Sequence, residues 1–416
     1  MADGRPDFDV HDQRLARAAW SRIAEPGDEV AGALVAALGP CEALDWLYGT
    51  LSSQEPAPGA VLAGLGGVGT PRARERLRRA TARWAVRATE VDPRRELRVL
   101  DRLGGTLLVP GDPAWPTALA DLGPASPWCL WVRGALPPDL GARSVALVGA
   151  RACTEYGRTV ATDLAEGLAA RDFVVVSGGA YGIDAAAHRG ALVGGAATVA
   201  FLAGGVDRLY PAGNADLLRA MVEAGGAVVS EVPPGSVPSR VRFLLRNRLI
   251  AAASTATVVV EAAWRSGSLS TAARAADLGR PVGAVPGPVT SMASSGSHRL
   301  LRDGAVCVTD VDEVADLAGR VGADLAPAHA SPCLPEDDLD PVARRVLEAL
   351  PVRSGAEAGS VARAAGLAPD ETRGALGLLE LQGLAVRGPA GWRRGARGGR
   401  ARVGAPDPDA AAGPAH

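Results

Sequence analysis

The sequence contains no lysine: all 44 residues with an ammonium or guanidinium side chain are arginine. Any anion-binding site in this chain therefore depends on the planar, forked guanidinium group. The net charge at pH 7 is only −2, so the overall charge does not indicate a nucleic-acid-binding protein. Arginines would have to be clustered locally to bind a polyanion.

Cysteines and long apolar runs are also scarce. The five cysteines include no C-x-x-C pair and are odd in number, which argues against a disulfide scaffold or a structural zinc site. The first residues lack a basic stretch followed by an apolar core, so we expect no signal peptide. No run of about 18 uninterrupted apolar residues occurs. We therefore expect a cytoplasmic protein without a membrane segment.

The apolar pattern changes along the 416 residues. Residues 1–95 show apolar positions at helical spacing, whereas from residue 143 to 318 short valine-rich strand patterns alternate with helical ones. Strands that are apolar on both faces are typical of parallel sheets in doubly wound folds. We predict an α/β protein with a helical N-terminal domain (1–95) and an extended Rossmann-like, doubly wound parallel-sheet domain (96–318, core 143–318).

The C-terminal part has a different composition. Residues 319–339 are rich in alanine and proline and indicate a linker. Residues 340–396 contain three helical patterns followed by two short strand patterns, the order of a winged helix, and residues 397–416 indicate a disordered tail. The third helical pattern carries three acidic residues and one arginine, which is a poor surface for duplex recognition. Protein binding and DNA binding both remain open for this domain.

A glycine turn follows the first strand of the predicted core. In ALVGARACTEYG, Gly149 permits a tight turn before a helix that begins near Gly157. Helix N-termini favour anions, and Arg151 adds a guanidinium that can bind a phosphate. A dinucleotide site would need glycine at Arg151 and an acidic residue after the second strand, where the chain has Ser177. We predict a phosphate-binding turn and no cofactor.

Further glycine- and serine-rich turns end other predicted strands. Because the carboxyl ends of parallel strands share one edge of the sheet, these turns should gather there. Several such turns on one edge indicate an extended polyanion rather than one small ligand. Their candidate DNA-binding residues are Ser177, Gly178, Gly179, Ser266, Gly267, Thr271 and Arg274.

Asp184 and His188 lie four residues apart on the helix that follows the second turn, so they share a face. They are either an acid–base or metal-binding pair, or a helix cap and a packing residue. Two ligands without a third do not predict a metal site.

The segment PSRVRFLLRNRLIAAAS contains four arginines within nine residues. Arginines for phosphates beside an aromatic ring for base stacking are typical of a groove for single-stranded nucleic acid. The alternative is a surface helix with ordinary ion pairs, although the apolar neighbours place part of the cluster toward the sheet. Our candidate contacts here are Arg240, Phe243, Arg246, Asn247 and Arg248. An earlier arginine-rich helix, RARERLRRATARWAVRA, is either a solvated face or a DNA-contacting surface.

Taken together, these motifs resemble the DNA-processing protein A family (DprA, also called Smf). The chain contains, in family order, GAR (149–151), SGGAYGIDAAAH (177–188), YPAGN (210–214), SEVPPG (230–235), RNRLI (246–250), VVEAAWRSGSLSTA (259–272) and VPG (285–287). Ala150 replaces the family's usual serine, and Leu244 replaces a frequent proline.

The resemblance implies a protein without catalytic activity that binds single-stranded DNA, forms homodimers and helps to load the RecA recombinase in DNA processing, natural transformation and recombination. Single-strand-binding protein is a further candidate partner. The phosphate contacts that it implies are Arg151, Arg246 and Arg248, in a groove lined by Ser177, Gly178, Gly179, Ser266 and Gly267. The alternative is an enzyme, a nucleotide phosphoribohydrolase of the lysine-decarboxylase-like class, but the chain lacks the P-G-G-x-G-T-x-x-E motif of that class.

Overall fold

The computed structural model describes residues 6–53, 59–65, 70–138, 140–320, 324–325 and 339–395. The chain forms two compact units, Met1–Pro327 and Ala328–His416. Most of the linker predicted at 319–339, and all of the tail predicted at 397–416, lies outside the described residues.

The described part of the chain up to residue 102 is helical, as predicted. Its helices are α1 Gln13–Ile23, α2 Glu29–Leu38, α3 Pro40–Ser53, α4 Gly59–Gly64, α5 Pro71–Ala88 and α6 Pro93–Arg102. Asp12 and Asp28 cap α1 and α2 by accepting hydrogen bonds from backbone N–H groups of the first turn. The rings of Trp20 and Trp84 meet edge to face, with centroids 5.5 Å apart, inside an apolar core shared by these helices.

No single helix in the described ranges is long and apolar enough to cross a membrane. Helices α2 and α3 would reach that length and composition only as a pair, and the chain bends by 112° between them.

One mixed sheet of nine strands follows within the described residues. The strands are β1 Gly105–Leu108, β2 Leu130–Gly134, β3 Ser144–Gly149, β4 Val174–Ser177, β5 Thr198–Phe201, β6 Ala227–Ser230, β7 Ala256–Glu261, β8 Val282–Ala284 and β9 Val306–Cys307. Their order is β1-β2-β6-β5-β4-β3-β7-β8-β9. Strands β3 to β9 pair in parallel, while β1 and β2 add an antiparallel edge. The predicted α/β fold with a parallel-sheet core is confirmed.

Helices cover both faces of this sheet. They are α7 Glu155–Ala169, α8 Ile183–Val193, α9 Ala215–Glu223, α10 Arg240–Ala252, α11 Ser268–Asp277, α12 Ser295–Arg302 and α13 Val311–Ala318. Side chains alternate along β3, so Val145 and Leu147 pack against α7 and α8, whereas Val148 packs on the face covered by α10 and α11. Burial on both faces explains why the strands are apolar throughout.

The strand order reverses next to β3. The chain runs from β3 outward through β4, β5 and β6, and then returns to β7 on the other side of β3. This crossover places the loops after β3 and β7 side by side. In open α/β sheets, ligands bind at such a switch point, beyond the carboxyl ends of the strands.

In the second unit, residues 339–395 form three helices followed by a two-stranded antiparallel sheet, the element order predicted for a winged helix. Its elements are α14 Pro341–Ala349, α15 Ala358–Ala365, α16 Pro369–Leu381, β10 Ala385–Gly388 and β11 Gly391–Arg394. Val346, Leu376 and Leu379 are fully buried in its core. The single arginine of α16, Arg373, is paired with Asp370.

Candidate nucleic-acid interface

Arg151 lies in the loop after β3 with an exposed side chain. Its guanidinium carbon is 4.6 Å from the centroid of the Phe243 ring, which is half-buried in the first turn of α10. The ring of Tyr210, itself 48% exposed, lies 5.9 Å from the Phe243 ring. We call Arg151, Tyr210 and Phe243 the aromatic–arginine cluster. It combines a phosphate donor with ring surfaces on which an unpaired base can stack.

An open pocket of about 350 Å³ lies beside this cluster. It is lined by Arg151, Ala152, Cys153, Arg158, Tyr181, Gly182, Ala185, Arg189 and Asn214. Three of these residues are arginines and none is acidic. Arg158 makes an exposed ion pair with Glu155 at 3.3 Å, and Arg189 has no carboxylate partner in the described part of the chain. This arginine pocket is therefore a candidate site for a phosphate group.

The sequence interpretation missed Arg158, Arg189, Tyr181 and Tyr210. The first two lie on α7 and α8, which pack closely against each other, so their side chains meet at one pocket although no motif unites them. Tyr181 and Tyr210 stand within motifs that we quoted. The position of Tyr181 just after the SGG turn, and that of Tyr210 at the start of YPAGN, are the signals that could have identified them.

At the N-terminus of α7, where we predicted an anion-binding turn, a carboxylate of the protein itself is bound. The backbone N–H and the hydroxyl of Thr154 donate to the two carboxylate oxygens of Glu261, each at 2.8 Å. Glu261 is buried at the end of β7, and a Cβ at Gly157 would lie 2.5 Å from its Oε2. A carboxylate of the protein itself therefore occupies the space in front of this helix.

Arg246 is buried beneath the SGG turn instead of facing solvent. Its Nη1 donates to the carbonyl oxygen of Gly178 at 2.8 Å and also to that of Phe201. Burial lowers the pKa of Arg246 to about 10, an effect that the nearby Asp184 carboxylate partly offsets. With 4% of its surface exposed, Arg246 has no accessible face for a phosphate. Its phosphate contact stays a prediction, and the structure gives it a scaffolding role.

Arg248 is buried in the same helix and forms a bidentate ion pair. Its Nη1 and Nη2 donate to the two oxygens of Glu231 at 2.8 and 2.6 Å, and its Nε donates to the Ala125 carbonyl oxygen at 3.1 Å. Each ion-pair side chain is 6% exposed. The pair fixes α10 to the loop after β6, so a direct phosphate contact by Arg248 also stays a prediction that its burial disfavours.

The remaining predicted DNA-binding residues form two groups, one buried and one at least partly exposed. Ser177, Gly178, Gly179, Asn247 and Thr271 are buried. The Ser177 hydroxyl donates to the Leu147 carbonyl oxygen at 2.6 Å, and the Asn247 amide donates to the Gly267 carbonyl oxygen at 3.2 Å. These residues shape the loops. Those with at least partial exposure are Gly149, Arg151, Arg240, Phe243, Ser266, Gly267 and Arg274.

A further exposed aromatic residue lies in the loop after β7. Trp264 is 52% exposed, and the guanidinium carbon of Arg299 lies 5.4 Å from its ring centroid. Because β7 neighbours β3, Trp264 follows the strand next to the one that carries the Arg151 loop, and Arg299 reaches it from α12. The sequence interpretation did not select Trp264.

Asp184 and His188 show no arrangement for catalysis. His188 is fully buried with Nδ1 2.8 Å from the Thr198 hydroxyl, and burial lowers its pKa to about 3. Asp184 accepts a hydrogen bond from the Ala180 N–H at 3.3 Å, and burial raises its pKa. The packing interpretation fits His188, whereas Asp184 holds the loop before α8. The described residues contain no group of three or more potential metal ligands.

Comparison with known proteins shows which family this chain matches. The model of the family described as DNA recombination-mediator protein A matches residues 106–319. A putative DNA processing protein DprA of Mycobacterium tuberculosis is 44% identical over 389 residues, covering 90% of this chain and 93% of that protein. The DNA processing protein DprA of Streptococcus pneumoniae is 39% identical over 203 residues, covering 49% of this chain and 71% of that protein. The solved structure of DNA processing protein A from that organism has a TM-score of 0.54 and 29% identity, and covers 74% of this chain and 98% of that chain.

Proposed function

The chain belongs to the DNA recombination-mediator protein A family and is a DNA-processing protein of recombination, and we propose that it binds single-stranded DNA at the carboxyl edge of its sheet. The observation that carries this proposal is the aromatic–arginine cluster beside the arginine pocket. Arg151 and the pocket arginines supply phosphate contacts, and Tyr210 and Phe243 supply ring faces for bases.

The geometry divides the candidate residues into two roles. We propose that exposed or half-buried side chains contact the strand. From the sequence analysis they are Arg151, Arg240 and Phe243, and their neighbours in the fold are Arg158, Arg189, Tyr181 and Tyr210. Buried side chains hold the loops that present them: Arg246 holds the SGG turn, and Arg248 with Glu231 holds α10. Substituting a residue of the second group would weaken binding through the fold and not through a lost phosphate contact.

The cluster favours single strands over duplex because a base can stack on Phe243 or Tyr210 only when its face is free. In a duplex, neighbouring base pairs cover those faces. The winged-helix unit gives no compensating duplex surface on α16, where Asp370 and Glu371 occupy the first turn.

We also propose that the protein is not an enzyme. No acidic side chain lines the arginine pocket. The carboxylate of Glu261 is held by Thr154, and His188 is buried, so neither is placed to transfer a proton to a bound nucleotide. Release of a free base from a nucleotide by the purified protein would favour the phosphoribohydrolase alternative.

Three further parts of the proposed function rest on the resemblance of the sequence motifs to those of the DprA family. They are transfer of the bound strand to RecA recombinase, action as a homodimer in the cytoplasm, and contact with single-strand-binding protein. These steps would depend on the strand-binding surface that we propose.

The proposal is tested by fluorescence anisotropy with a labelled 30-nucleotide single strand and the duplex of the same sequence, at one salt concentration. We expect the single strand to bind at least about fivefold more tightly, since one stacked base contributes roughly 1–3 kcal/mol. Equal affinity for the two forms would reject the stacking groove.

A further inference from the structure

Trp264 differs from the other tryptophans of the chain in its exposure. The sequence contains eight tryptophans, and the other seven are buried or half-buried. Trp264, in the loop after β7, has 52% of its surface exposed. The packing of the fold gives no reason for this exposure, and the DNA contacts proposed above do not include the residue. A large ring in such a position is typical of a surface that contacts a ligand or a partner.

The surroundings of the Trp264 ring are positively charged. The guanidinium carbon of Arg299 lies 5.4 Å from the ring centroid, and the adjacent Arg265 is exposed without a carboxylate partner in the described part of the chain. Arg299 makes an ion pair with Asp303 at 3.4 Å, but both side chains are at least half exposed, so the pair is weak. A ring and guanidinium groups are also the components of the aromatic–arginine cluster. We call Trp264, Arg265 and Arg299 the tryptophan–arginine site.

The tryptophan–arginine site lies next to the loop that carries Arg151. Strands β3 and β7 pair in parallel with Gly149 opposite Glu261, and the N–H of the residue after Gly149 donates to the Glu261 carbonyl oxygen at 2.7 Å. Arg151 lies two residues beyond this pair on one segment, and Trp264 lies three residues beyond it on the other. Chain length therefore limits the separation of their Cα atoms to about 25 Å. One DNA strand of moderate length can reach both.

We propose that the tryptophan–arginine site is a second base-stacking site for the same DNA strand, an inference that rests on the single-strand function proposed above. One base stacks on Trp264, and Arg265 and Arg299 bind the neighbouring phosphates, while another part of the strand occupies the aromatic–arginine cluster. The strand then runs along the carboxyl edge of the sheet, across the ends of β5, β3 and β7. A protein partner is the less favoured occupant, because the site combines positive charge with continuity to the proposed strand path.

The first test measures the affinity for labelled oligothymidylates of about 4 to 30 nucleotides by fluorescence anisotropy. Short strands should occupy the aromatic–arginine cluster, which has the arginine pocket beside it, and affinity should rise at the length that also reaches Trp264. Trp264→Ala should remove this rise. It should weaken binding of the longest strand by roughly 5- to 150-fold, the loss of one stacked base, and that of the shortest strand by less than about threefold. Phe243→Ala should weaken binding of short and long strands alike.

Two control variants separate base stacking from changes in the fold. Trp264→Phe keeps an aromatic face and should bind the longest strand within about threefold of the parent. Val193→Ala removes another exposed apolar side chain, at the end of α8 that leads back to the amino ends of the strands, and should keep the parent affinity. Far-UV circular dichroism and Tm verify that each variant is folded.

The second test is photocrosslinking with a single strand in which 5-iodouracil replaces thymine, followed by mass spectrometry of the crosslinked peptides. This base forms crosslinks with aromatic side chains that it contacts. We expect crosslinked peptides that contain Trp264 as well as peptides that contain Phe243 or Tyr210.

Unchanged affinity of Trp264→Ala for the longest strand, or crosslinks at Phe243 without any at Trp264, would overturn this inference and leave the proposed function in place. An equal loss at every strand length would also overturn it, because Trp264 would then not be a separate site. If neither Phe243→Ala nor Trp264→Ala weakened binding, the proposed function and this inference would both be rejected.

Discussion

The Arg151 guanidinium stands over the Phe243 ring, with 4.6 Å between the guanidinium carbon and the ring centroid. Arg151 lies in the loop after β3 and Phe243 in the first turn of α10, so the contact joins that loop to the helix. A cation held against a ring keeps its N–H groups directed to solvent, where they can donate to a phosphate. The relationship explains why arginine, and not the glycine of a dinucleotide turn, stands at position 151.

Phe243→Ala should weaken binding of single strands by roughly 5- to 150-fold, the effect of losing about 1–3 kcal/mol of base stacking. Fluorescence anisotropy with a labelled oligonucleotide measures the change. Phe243→Trp is the matched control and should bind within about threefold of the parent, because every aromatic ring offers a stacking face. An alanine variant with unchanged affinity would remove Phe243 from the strand path.

Arg248→Ala should lower the free energy of unfolding by about 3–5 kcal/mol, since it leaves the buried Glu231 carboxylate without its partner. Urea denaturation measures this loss. The double variant Arg248→Met with Glu231→Gln should recover part of it, because no unpaired charge remains. If Arg248→Ala lost DNA binding at unchanged stability, the arginine would be a phosphate contact after all.

Gly178→Ala should destabilise the fold by about 1–3 kcal/mol, because a Cβ at this position would collide with the buried Arg246 guanidinium. Gly359→Ala, at an exposed position of helix α15 where a Cβ meets no neighbour within 4 Å, serves as the control and should not destabilise. Thermal unfolding compares the two. Equal Tm values for both variants would show that Arg246 can leave its site without loss.

His188 predicts a pH dependence of stability. Its folded pKa of about 3 lies below the ordinary value of 6.5, so the unfolded chain takes up a proton first as the pH falls. Its stabilising contribution is complete above pH 6.5 and declines by about 1.4 kcal/mol per pH unit between 6.5 and 3. His188→Asn should flatten this decline in urea titrations at several pH values, whereas His298→Gln should leave it in place. The same decline in both variants would contradict the assignment.

The sequence pattern was sufficient to predict the sheet and the edge where its turns gather. Valine-rich segments and glycine turns indicate strands and their ends from neighbouring residues alone, and the seven strands β3 to β9 lie in the segments predicted in this way. The direction of each arginine side chain on α10 was harder to predict, because the second half of this helix is buried on most faces. The apolar neighbours of Arg246 and Arg248 predicted that part of the cluster faces the sheet, but they did not predict that both guanidinium groups bond to protein oxygens. Of these two residues and Arg240, only Arg240 is exposed.

The remaining differences between prediction and structure depend on which strands and helices are neighbours in the fold. Glu261 reaches Thr154 only because β3 and β7 are adjacent in the sheet, and nothing near either residue in the sequence indicates this contact. Likewise, Arg158 and Arg189 become one site only when α7 packs on α8. Such residues require the fold before their role can be inferred.

The central claim, that Arg151 contacts phosphate at a single-strand site, is tested most directly by the salt dependence of binding. Affinity for a labelled single strand is measured across a salt series for the parent protein, Arg151→Ala and the control Arg72→Ala. We predict that Arg151→Ala weakens binding and reduces the slope of log K against log salt by about 0.7, the release of one phosphate contact, while Arg72→Ala keeps the parent slope. An unchanged slope in Arg151→Ala would contradict the account.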